Sequence, residues 1–460
     1  MLNAIWLFLV VVGVALGALT GRLGEVTSAG FDAAKTAVMS LALPLAGIMA
    51  LWLGIMRLAE KAGAIAVVAR ILRPVLVRLF PDVPPNHPAM GSMVMNMAAN
   101  MLGLANAATP LGLRAMQDLE KLNPHPGTAS NAMCTFLALN TSSVQIIPAT
   151  AVAILATMGA SNPTGIIGTA LVATTCSTVA AILAVKFLEK LPAYALPAAA
   201  DTGSKPTEGE RDEESRPMET GSATPMSMWR ALAIWGALGA FVGLFVWMAF
   251  FPRMFAEWSG DLRALLGLGV DSPGEAEALE KGLFPRSVEA LSLLAVPFFL
   301  TMFPLYAAAR KVPVYEEFVE GAKEGFAVAV RIIPFLVAIL AAVAVFRAAG
   351  GIDLLARAVT PILVPLHFPP ELLPLVFMRP LSGGGALGIF SELVETHGAN
   401  SLIASMGGTI MGSTETTFYV IAVYFGSVAI RRTRHAVPAG LFADLVGVIA
   451  AVTVCNIVLG

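Results

Sequence analysis

Residues 95–112 read MNMAANMLGLANAATPLG and interrupt an otherwise apolar stretch of the chain. Asn96, Asn100 and Gly103 are spaced i, i+4 and i+7, so they would share one face of a helix. The segment Asn106–Pro110 then predicts a helix break, because proline lacks a backbone N–H and disfavours helical conformation in the residue before it. We therefore expect a polar, broken segment among apolar helices.

The remainder of the chain is strongly apolar. Of its 460 residues, 57% are hydrophobic and 13% are charged, whereas a soluble domain carries about 25% charged residues. So few charges cannot cover a water-facing surface, and we predict a multi-pass protein of the bacterial cytoplasmic (inner) membrane. A spanning helix needs about 20 mostly apolar residues. The runs that approach this requirement are Leu2–Leu19, Ala37–Met56, Leu137–Met158, Gly165–Phe187, Ala231–Phe251, Val288–Ala308, Ala329–Phe346, Thr417–Ala429 with its extension from Leu402, and Val437–Val458.

A second interrupted stretch, RPLSGGGALG, occupies Arg379–Gly388. Each glycine in a helix costs about 1 kcal/mol relative to alanine, so three in a row predict a break. Backbone exposed at membrane depth has to be buried in protein or line a wet cavity. Both breaks would offer N–H groups and helix N-termini, which suit a small anion or a carboxylate.

Each break has a polar partner segment further along the chain. Asn140–Gln145 precedes Pro148 inside an apolar run, and Gly407–Thr417 carries Glu415. A charge near the bilayer centre costs about 2.5–3.5 kcal/mol, so this carboxyl is expected to be paired, protonated or in water. Three roles stay open for it: binding a cation, carrying a proton, or forming a structural pair with Arg379. The polar residues as a group have an alternative role, which is to hydrogen-bond helices to one another.

The polar side chains and glycines of these four segments form the predicted solute-binding site. They are Asn96, Asn100, Asn106, Thr109, Asn140, Thr141, Ser142, Ser143, Gln145, Ser382, Gly383, Gly384, Gly385, Ser413, Thr414, Glu415 and Thr416. Asp444, in the last apolar run, is either a helix-start residue at the interface or a part of the site. We predict neither catalytic residues nor an enzyme, because the spans hold no Ser/His/Asp set and no HExxH motif. The scattered histidines and cysteines predict no metal site.

The two halves of the chain repeat one another with an ordered set of offsets. The correspondences are Gly63, Arg70 and Pro74 with Gly350, Arg357 and Pro361, Leu111-Gly112 with Leu387-Gly388, and Asn140–Ser143 with Met411–Thr414, at offsets of 287, 276 and 271. One unpaired span, Ala231–Phe251, would invert the second half. With re-entrant breaks, that topology places most lysines and arginines on one side, which we assign as cytoplasmic. We predict an all-α polytopic membrane protein of two inverted repeats, each with a re-entrant hairpin and a broken helix.

The predicted division of the chain is 1–191 for the first repeat, 192–227 for a disordered linker, 228–287 for an extra span with a hydrophilic loop, and 288–460 for the second repeat. The linker assignment rests on Asp201–Thr224, where seven acidic and three basic residues cannot bury a core. Two segments carry arginines at helical spacing among aliphatic residues, which predicts amphipathic helices in the membrane interface. They are Ile65–Leu79 and Ile352–Leu366.

The chain also resembles a known family in segments from both halves. LFPDVPPNHPAMG, ANAATPLGLRAM and FLALNTSS are similar to spore maturation protein A, and YEEFVEGAKEGF, RPLSGGGALG and GSTETTFYVIAVYFGSVAIRRTR are similar to spore maturation protein B. The chain thus looks like a fusion of the two, within the nucleoside recognition or Gate domain family. The resemblance implies hairpin tips at Asn106–Pro110 and Ser382–Gly385, and broken helices at Asn140–Gln145 and Ser413–Thr417. In transporters of this group such elements hold substrate and sodium.

Broken helices in two inverted halves are typical of secondary transporters with a site near the midplane. We therefore expect alternating-access transport of a small polar or anionic solute, with nucleosides as one candidate class, coupled to Na⁺ or H⁺. The alternative is a non-transporting membrane scaffold for envelope or spore-cortex maturation. We expect no cofactor beyond the coupling ion. The expected partners are the solute, membrane lipid and, through the peripheral helices, a second copy of the chain, but no nucleic acid.

Overall fold

The computed structural model describes residues 2–142, 145–196, 227–267, 282–351, 354 and 368–460. Within these ranges the fold is all-helical without a β-strand, apart from an isolated bridge between Thr128 and Arg432. The predicted linker at Asp201–Thr224 lies outside the described residues. So does the predicted amphipathic helix Ile352–Leu366, with the exception of Leu354.

The first half consists of short and long helices that follow the apolar runs. They are α1 (Leu2–Leu19), α2 (Leu23–Thr36), α3 (Leu43–Lys61), α4 (Ala64–Leu79), α5 (Pro88–Met101), α6 (Ala105–Glu120), α7 (Asn131–Ser142), α8 (Ala149–Thr157) and α9 (Ile166–Leu188). A π-helical turn, Ala37–Ala42, joins α2 to α3 without a break. A short 3₁₀ turn at Pro192–Tyr194 closes this half.

The second half is preceded by two helices, α10 (Met228–Phe250) and α11 (Pro252–Leu265). It then contains α12 (Leu283–Ala309), α13 (Val314–Ala348), α14 (Leu373–Met378), α15 (Gly383–His397), α16 (Leu402–Ser413), α17 (Thr417–Ser427) and α18 (Ala436–Val458). A 3₁₀ turn, Pro370–Leu372, leads into α14.

Several helices are long and apolar enough to cross a membrane. They are Leu23–Lys61, Ile166–Leu188, Met228–Phe250, Leu283–Ala309 and Ala436–Val458, with Trp6–Leu19 and Ile333–Ala348 as shorter apolar segments. The first of these combines α2 and α3 and exceeds the predicted run Ala37–Met56, because the π-helical turn keeps the two helices continuous. This helical architecture agrees with the predicted polytopic membrane protein. The re-entrant course of the breaks and the inverted repeat stay predictions.

The predicted interfacial helix of the first half exists as α4. One stripe of it is apolar and exposed, with Val67, Ile71 and Val75 at 42%, 68% and 60% exposure. These positions are spaced i, i+4 and i+8, so they lie on one face. The helix begins after Gly63, whose φ is 84°, and Gly350 at the corresponding position of the other half has a φ of 83°. This shared left-handed conformation supports the predicted repeat.

Helices α3 and α13 join the two halves with their backbones in direct contact. α13 carries Gly321 and Gly325 at GxxxG spacing, which lets helices approach closely. A Cβ built on Gly325 would lie 2.4 Å from the Ala50 Cα, and one built on Gly321 would lie 2.6 Å from the carbonyl oxygen of Leu53. Glycine is therefore required at both positions by close approach.

Replacing Gly325 with alanine is expected to weaken this crossing. The 2.4 Å contact is with backbone, so no side-chain rotation relieves it, and overpacking of this kind costs about 1–3 kcal/mol. We expect a lower unfolding midpoint for the purified protein in detergent. Gly239→Ala in α10 is the matched control, because no atom lies within 4 Å of its Cβ position. Equal midpoints for the two variants would contradict the close crossing.

Polar contacts also connect the halves. Arg57 donates from Nε to Glu317 Oε2 at 2.8 Å and from Nη1 to Glu324 Oε1 at 3.0 Å. On the loop before α18, Arg434 donates from Nε to the carbonyl oxygen of Tyr194 at 2.8 Å. Both arginines thus connect the two halves, Arg57 at the crossing of α3 and α13 and Arg434 at the loop before α18.

Candidate functional site

The first helix interruption lies at Leu102–Leu104, between α5 and α6. Gly103 adopts a φ of 72°, and the Leu104 N–H donates to the Ala99 carbonyl oxygen at 2.9 Å. The prediction of a break at Asn106–Pro110 is wrong, since α6 starts at Ala105 and includes Pro110. A left-handed glycine ends a helix at little cost, whereas the proline removes a single intrahelical hydrogen bond from α6.

The two polar breaks occur where the sequence predicts them, whereas the break predicted at the three glycines lies just before them, at Arg379–Ser382. α7 ends at Ser142 and α8 begins at Ala149, while α16 ends at Ser413 and α17 begins at Thr417. Between α14 and α15 the chain turns, and Ser382 Oγ accepts from the Gly385 N–H at 3.0 Å, which caps α15. The three glycines therefore form the first turn of a helix.

All four interruptions meet in one region. The Ile146 N–H donates to the Met101 carbonyl oxygen at 3.1 Å, and the Phe418 N–H donates to the Pro380 carbonyl oxygen at 3.0 Å. In each half, a backbone group that one break leaves without a helical partner thus bonds to the backbone of the other break. Backbone polar groups within a membrane need such internal partners. The halves also touch here, because a Cβ on Gly412 would lie 2.7 Å from the Pro148 Cβ.

Three asparagines and one tyrosine form the amide cluster, which we define as Asn96, Asn100, Asn140 and Tyr424. Asn100 Nδ2 donates to Asn140 Oδ1 at 2.8 Å, and Asn96 Nδ2 donates to the Ala108 carbonyl oxygen at 2.8 Å. The Tyr424 hydroxyl accepts from Asn96 Nδ2 at 3.3 Å and donates to Asn140 Oδ1 at 3.5 Å. The cluster therefore draws on both halves of the chain.

The tyrosine of the amide cluster was missed by the sequence prediction. A signal was present, because a buried tyrosine hydroxyl in an apolar span usually needs a hydrogen-bond partner. A Cβ on Gly112, in α6, would lie 2.2 Å from the Tyr424 hydroxyl oxygen and 2.9 Å from Asn96 Nδ2. Glycine at this position thus leaves the space that the ring occupies.

A second group of side chains surrounds the break between α16 and α17, and we call it the arginine cluster: Arg379, Thr414, Glu415 and Thr416. The arginine side chain is 8% exposed. Its Nη2 donates to the carbonyl oxygens of Met411, at 3.0 Å, and Thr414. The guanidinium thus satisfies carbonyl groups that the end of α16 leaves without helical partners, where the helix dipole also favours a cation.

The predicted pairing of Glu415 with Arg379 is present at longer range. Glu415 Oε2 lies 3.8 Å from Arg379 Nη2 and accepts from the Thr416 N–H at 3.0 Å. The glutamate side chain is 28% exposed. The carboxylate is therefore partly accessible while its partner arginine is buried.

Several predicted site residues are bonded within their own helices. The hydroxyls of Thr141 and Ser142 donate to carbonyl oxygens one turn earlier, both at 3.0 Å, and those of Ser413 and Thr414 donate to Ile410 at 3.4 and 2.8 Å. All four residues are buried. They border the breaks, but their hydroxyl hydrogens already have partners.

The remaining predicted residues are distributed around the breaks. A Cβ on Gly383 would lie 3.2 Å from Thr416 Oγ1, so the start of α15 touches the arginine cluster. Gly384 packs on Phe335, and Thr109 and Gln145 are half-buried. Ser143 and the side chain of Asn106 lie outside the described residues.

Two further polar groups point into the region. Asp444 in α18 is 5% exposed, so the alternative of a helix-start residue at the interface is wrong. Trp52 Nε1 is buried without a hydrogen-bond partner among the described residues, and it lies 3.9 Å from the Cβ position of Gly103. Within the described part of the chain, no three His, Cys, Asp or Glu residues are grouped to hold a metal ion.

Comparison with known protein families assigns the chain to one of them. A family model described as nucleoside recognition (Gate) matches residues 42–189 and 329–431, more than half of the chain. The chain belongs to the nucleoside recognition family. No solved structure matches it.

The similar proteins match in two parts. The chain is 42% identical over 183 residues to spore maturation protein A of Bacillus subtilis (strain 168), which covers 40% of this chain and 93% of that protein. It is 41% identical over 170 residues to spore maturation protein B of the same organism, which covers 37% of this chain and 96% of that protein. The resemblance predicted from the sequence is confirmed.

The matched segments contain the site. Asn96, Asn100 and Asn140 lie in the first segment, and Arg379 and Glu415 lie in the second. Membership of this family, together with the apolar helices, identifies a membrane protein. All four helix interruptions therefore lie within the segments that match the family model.

Proposed function

We propose that this protein is a secondary transporter of a small polar or anionic solute, with nucleosides as the first class to test. One observation carries the proposal: the interruptions at Leu102–Leu104, Asn140–Gln145, Arg379–Ser382 and Ser413–Thr417 meet where the two halves touch. Two halves that pack around a shared polar region can move against each other and open it to alternate sides. Na⁺ or H⁺ would drive the movement.

The chemistry of the region suits a neutral or anionic polar solute. Asparagine side chains offer both donors and acceptors, and the amide cluster holds three of them. Asn100 of the amide cluster and Glu415 of the arginine cluster are both partly exposed. The indole N–H of Trp52 is a donor that a solute could use.

Uptake into proteoliposomes tests this proposal. The purified protein is reconstituted, and accumulation of radiolabelled uridine is measured under an inward Na⁺ or H⁺ gradient, with and without an ionophore. We expect Asn100→Ala to lower uptake about tenfold, the equivalent of one hydrogen bond of about 1.4 kcal/mol. Asn400→Ala is the matched control, because Asn400 is exposed and bonds to Ser161 outside both clusters. It should transport normally.

The scaffold alternative makes the opposite prediction, and the names of the similar spore maturation proteins favour it as the second candidate. A scaffold would give no uptake under either gradient. It would also give no thermal stabilisation by a panel of nucleosides and small anions, since a ligand that binds the native state raises its stability. That joint result would remove the transport proposal.

A further inference from the structure

Asp444 is a buried acid that the predicted site did not include. It lies in the first half of α18 and is 5% exposed. Its Oδ2 accepts from Thr417 Oγ1 at 2.6 Å. Its Oδ1 is buried without a hydrogen-bond partner among the described residues. A buried polar atom left without a partner requires an explanation, and an unseen ion or proton is one.

Two glycines place this carboxyl between both broken helices. Gly440 and Gly447 flank Asp444 at i−4 and i+3, on the same face of α18. A Cβ on Gly440 would lie 2.9 Å from Thr417 Cγ2 and 3.2 Å from Thr141 Oγ1, and one on Gly447 would lie 3.0 Å from the Ser413 carbonyl oxygen. The α18 backbone therefore packs on the helix breaks of the first and the second half, with the acid between these contacts.

The charges in this region do not balance. Arg379 and Glu415 are the charged side chains at the break between α16 and α17, against which Asp444 packs through Thr417, and they already lie 3.8 Å from each other. The break thus holds one guanidinium for Glu415 and the neighbouring Asp444, and its Nη2 also bonds to two carbonyl oxygens. One negative charge at membrane depth is left without a partner, and such a group neutralises or binds a cation.

The remaining charged and titratable groups on α9, α17 and α7 lie away from Asp444 or, in the case of Cys176 and Tyr419, are exposed. Ser177 Oγ of α9 donates to the Ala443 carbonyl oxygen, so Lys186 is about two and a half turns further along α9. In α17, Tyr424 bonds to the amide cluster, and in α7 the Cys134 thiol donates to the Thr433 carbonyl oxygen.

Glu289 of α12 neighbours Val288, which packs on Val454 of α18. That contact is about ten residues, or 15 Å of helix, beyond Asp444. Arg310 lies past the opposite end of α12. Arg379 and Glu415 therefore remain the charged groups at the helix break that Asp444 contacts.

The tight packing favours a proton over a metal cation. An alkali ion needs a shell of oxygens in place of its water, whereas the contacts at Gly440 and Gly447 leave less than van der Waals space beside the backbone. A proton needs no cavity. A protonated carboxyl is both donor and acceptor, which fits a hydroxyl oxygen at 2.6 Å.

We propose that Asp444 is the proton-binding residue of this protein, taking a proton from water on one side and releasing it to water on the other. As the coupling step of transport, this rests on the proposed function. Protonation would remove the unpaired negative charge. Loss of the proton would leave Asp444 and Glu415 competing for Arg379, so the charge on Asp444 would bias how the two broken helices pack on α18.

Infrared difference spectroscopy of the purified protein tests proton binding without any solute. Spectra are recorded between mildly acidic and mildly alkaline buffer, in sodium chloride and in choline chloride. We expect the C=O band of a buried protonated carboxyl in the wild type and its loss in Asp444→Asn. Glu395→Gln, at an exposed acid of α15, should keep the band. Thr417→Val should shift its frequency, and this variant decides the assignment if Asp444→Asn does not fold.

Three results would overturn the proposal. They are a band that persists in Asp444→Asn, a band that Thr417→Val leaves in place, or carboxylate bands that respond to sodium but not to pH. The last result would assign the residue to sodium instead. The two proposals fail separately. If the band behaves as expected but the protein takes up no solute, proton binding is retained and transport is rejected.

Discussion

Arg379→Ala is expected to destabilise the protein by about 3–5 kcal/mol, the range seen when one partner of a buried ion pair is removed. The guanidinium is 8% exposed and bonds to the carbonyl oxygens of Met411 and Thr414 at the end of α16. Without it those carbonyls lose their donor, and Glu415 loses its cation beside the buried Asp444. The measurement is the unfolding midpoint of the purified protein in detergent.

Two further variants define what the arginine contributes. Arg379→Lys keeps the charge but cannot bond in a planar fork, so we expect an intermediate loss. Lys323→Ala is the control, since this lysine is 64% exposed and its partner Glu320 is 52% exposed, and exposed pairs contribute at most about 1 kcal/mol. Arg379→Ala and Lys323→Ala with the same midpoint would show that the arginine cluster does not hold the break.

The second large effect is expected at Gly112. A methyl group there would lie 2.2 Å from the Tyr424 hydroxyl oxygen and 2.4 Å from its Cζ, so Gly112→Ala must displace the ring. Overpacking costs about 1–3 kcal/mol, and amide groups left unbonded add about 1–3 kcal/mol. We expect a lower unfolding midpoint and loss of uridine uptake, because the amide cluster loses its link to the second half.

A matched glycine and a double variant separate packing from helix propensity. Gly91→Ala, in the neighbouring helix α5, has no atom within 4 Å and should be neutral or stabilise by up to about 1 kcal/mol. Tyr424→Ala removes the group that Gly112→Ala displaces, so the double variant should be more stable than the sum of the single losses. Strict additivity would mean that the two residues do not share this space.

The amide cluster takes its residues from both of the parts that match the spore maturation proteins. Its matches to spore maturation proteins A and B each cover one part of the chain and nearly the whole of the similar protein. Yet Tyr424 of the second half bonds to Asn96 and Asn140 of the first, and Gly412 packs on Pro148. The amide cluster is therefore complete only when both parts are present.

The amino-acid sequence by itself determined the membrane class of this protein and two of its four helix breaks. These features depend on local properties: the content of apolar residues, and the polar clusters at Asn140–Gln145 and Ser413–Thr417. The glycines Gly383–Gly385 marked the third break only approximately, because they form the first turn of α15 and the break precedes them. Pairing of Glu415 with Arg379 was one of three roles that the sequence left open for this carboxyl, because a charge at membrane depth needs a partner, a proton or water. Each of these inferences uses residues that are close in sequence or a charged group that needs a partner in the membrane.

The tertiary structure alone decided which residues complete the site. Helix α5 ends at Met101, just before the left-handed Gly103, and not near Pro110. The Ile146 N–H bonds to the Met101 carbonyl oxygen at this helix end. Tyr424 and Asp444 entered the site, and Gly112 acquired its role, through contacts made in the folded chain. The tyrosine lies 284 and 328 residues from the asparagines it contacts. Hydropathy and spacing carry no information about such distant pairs, which form only when the two halves pack together.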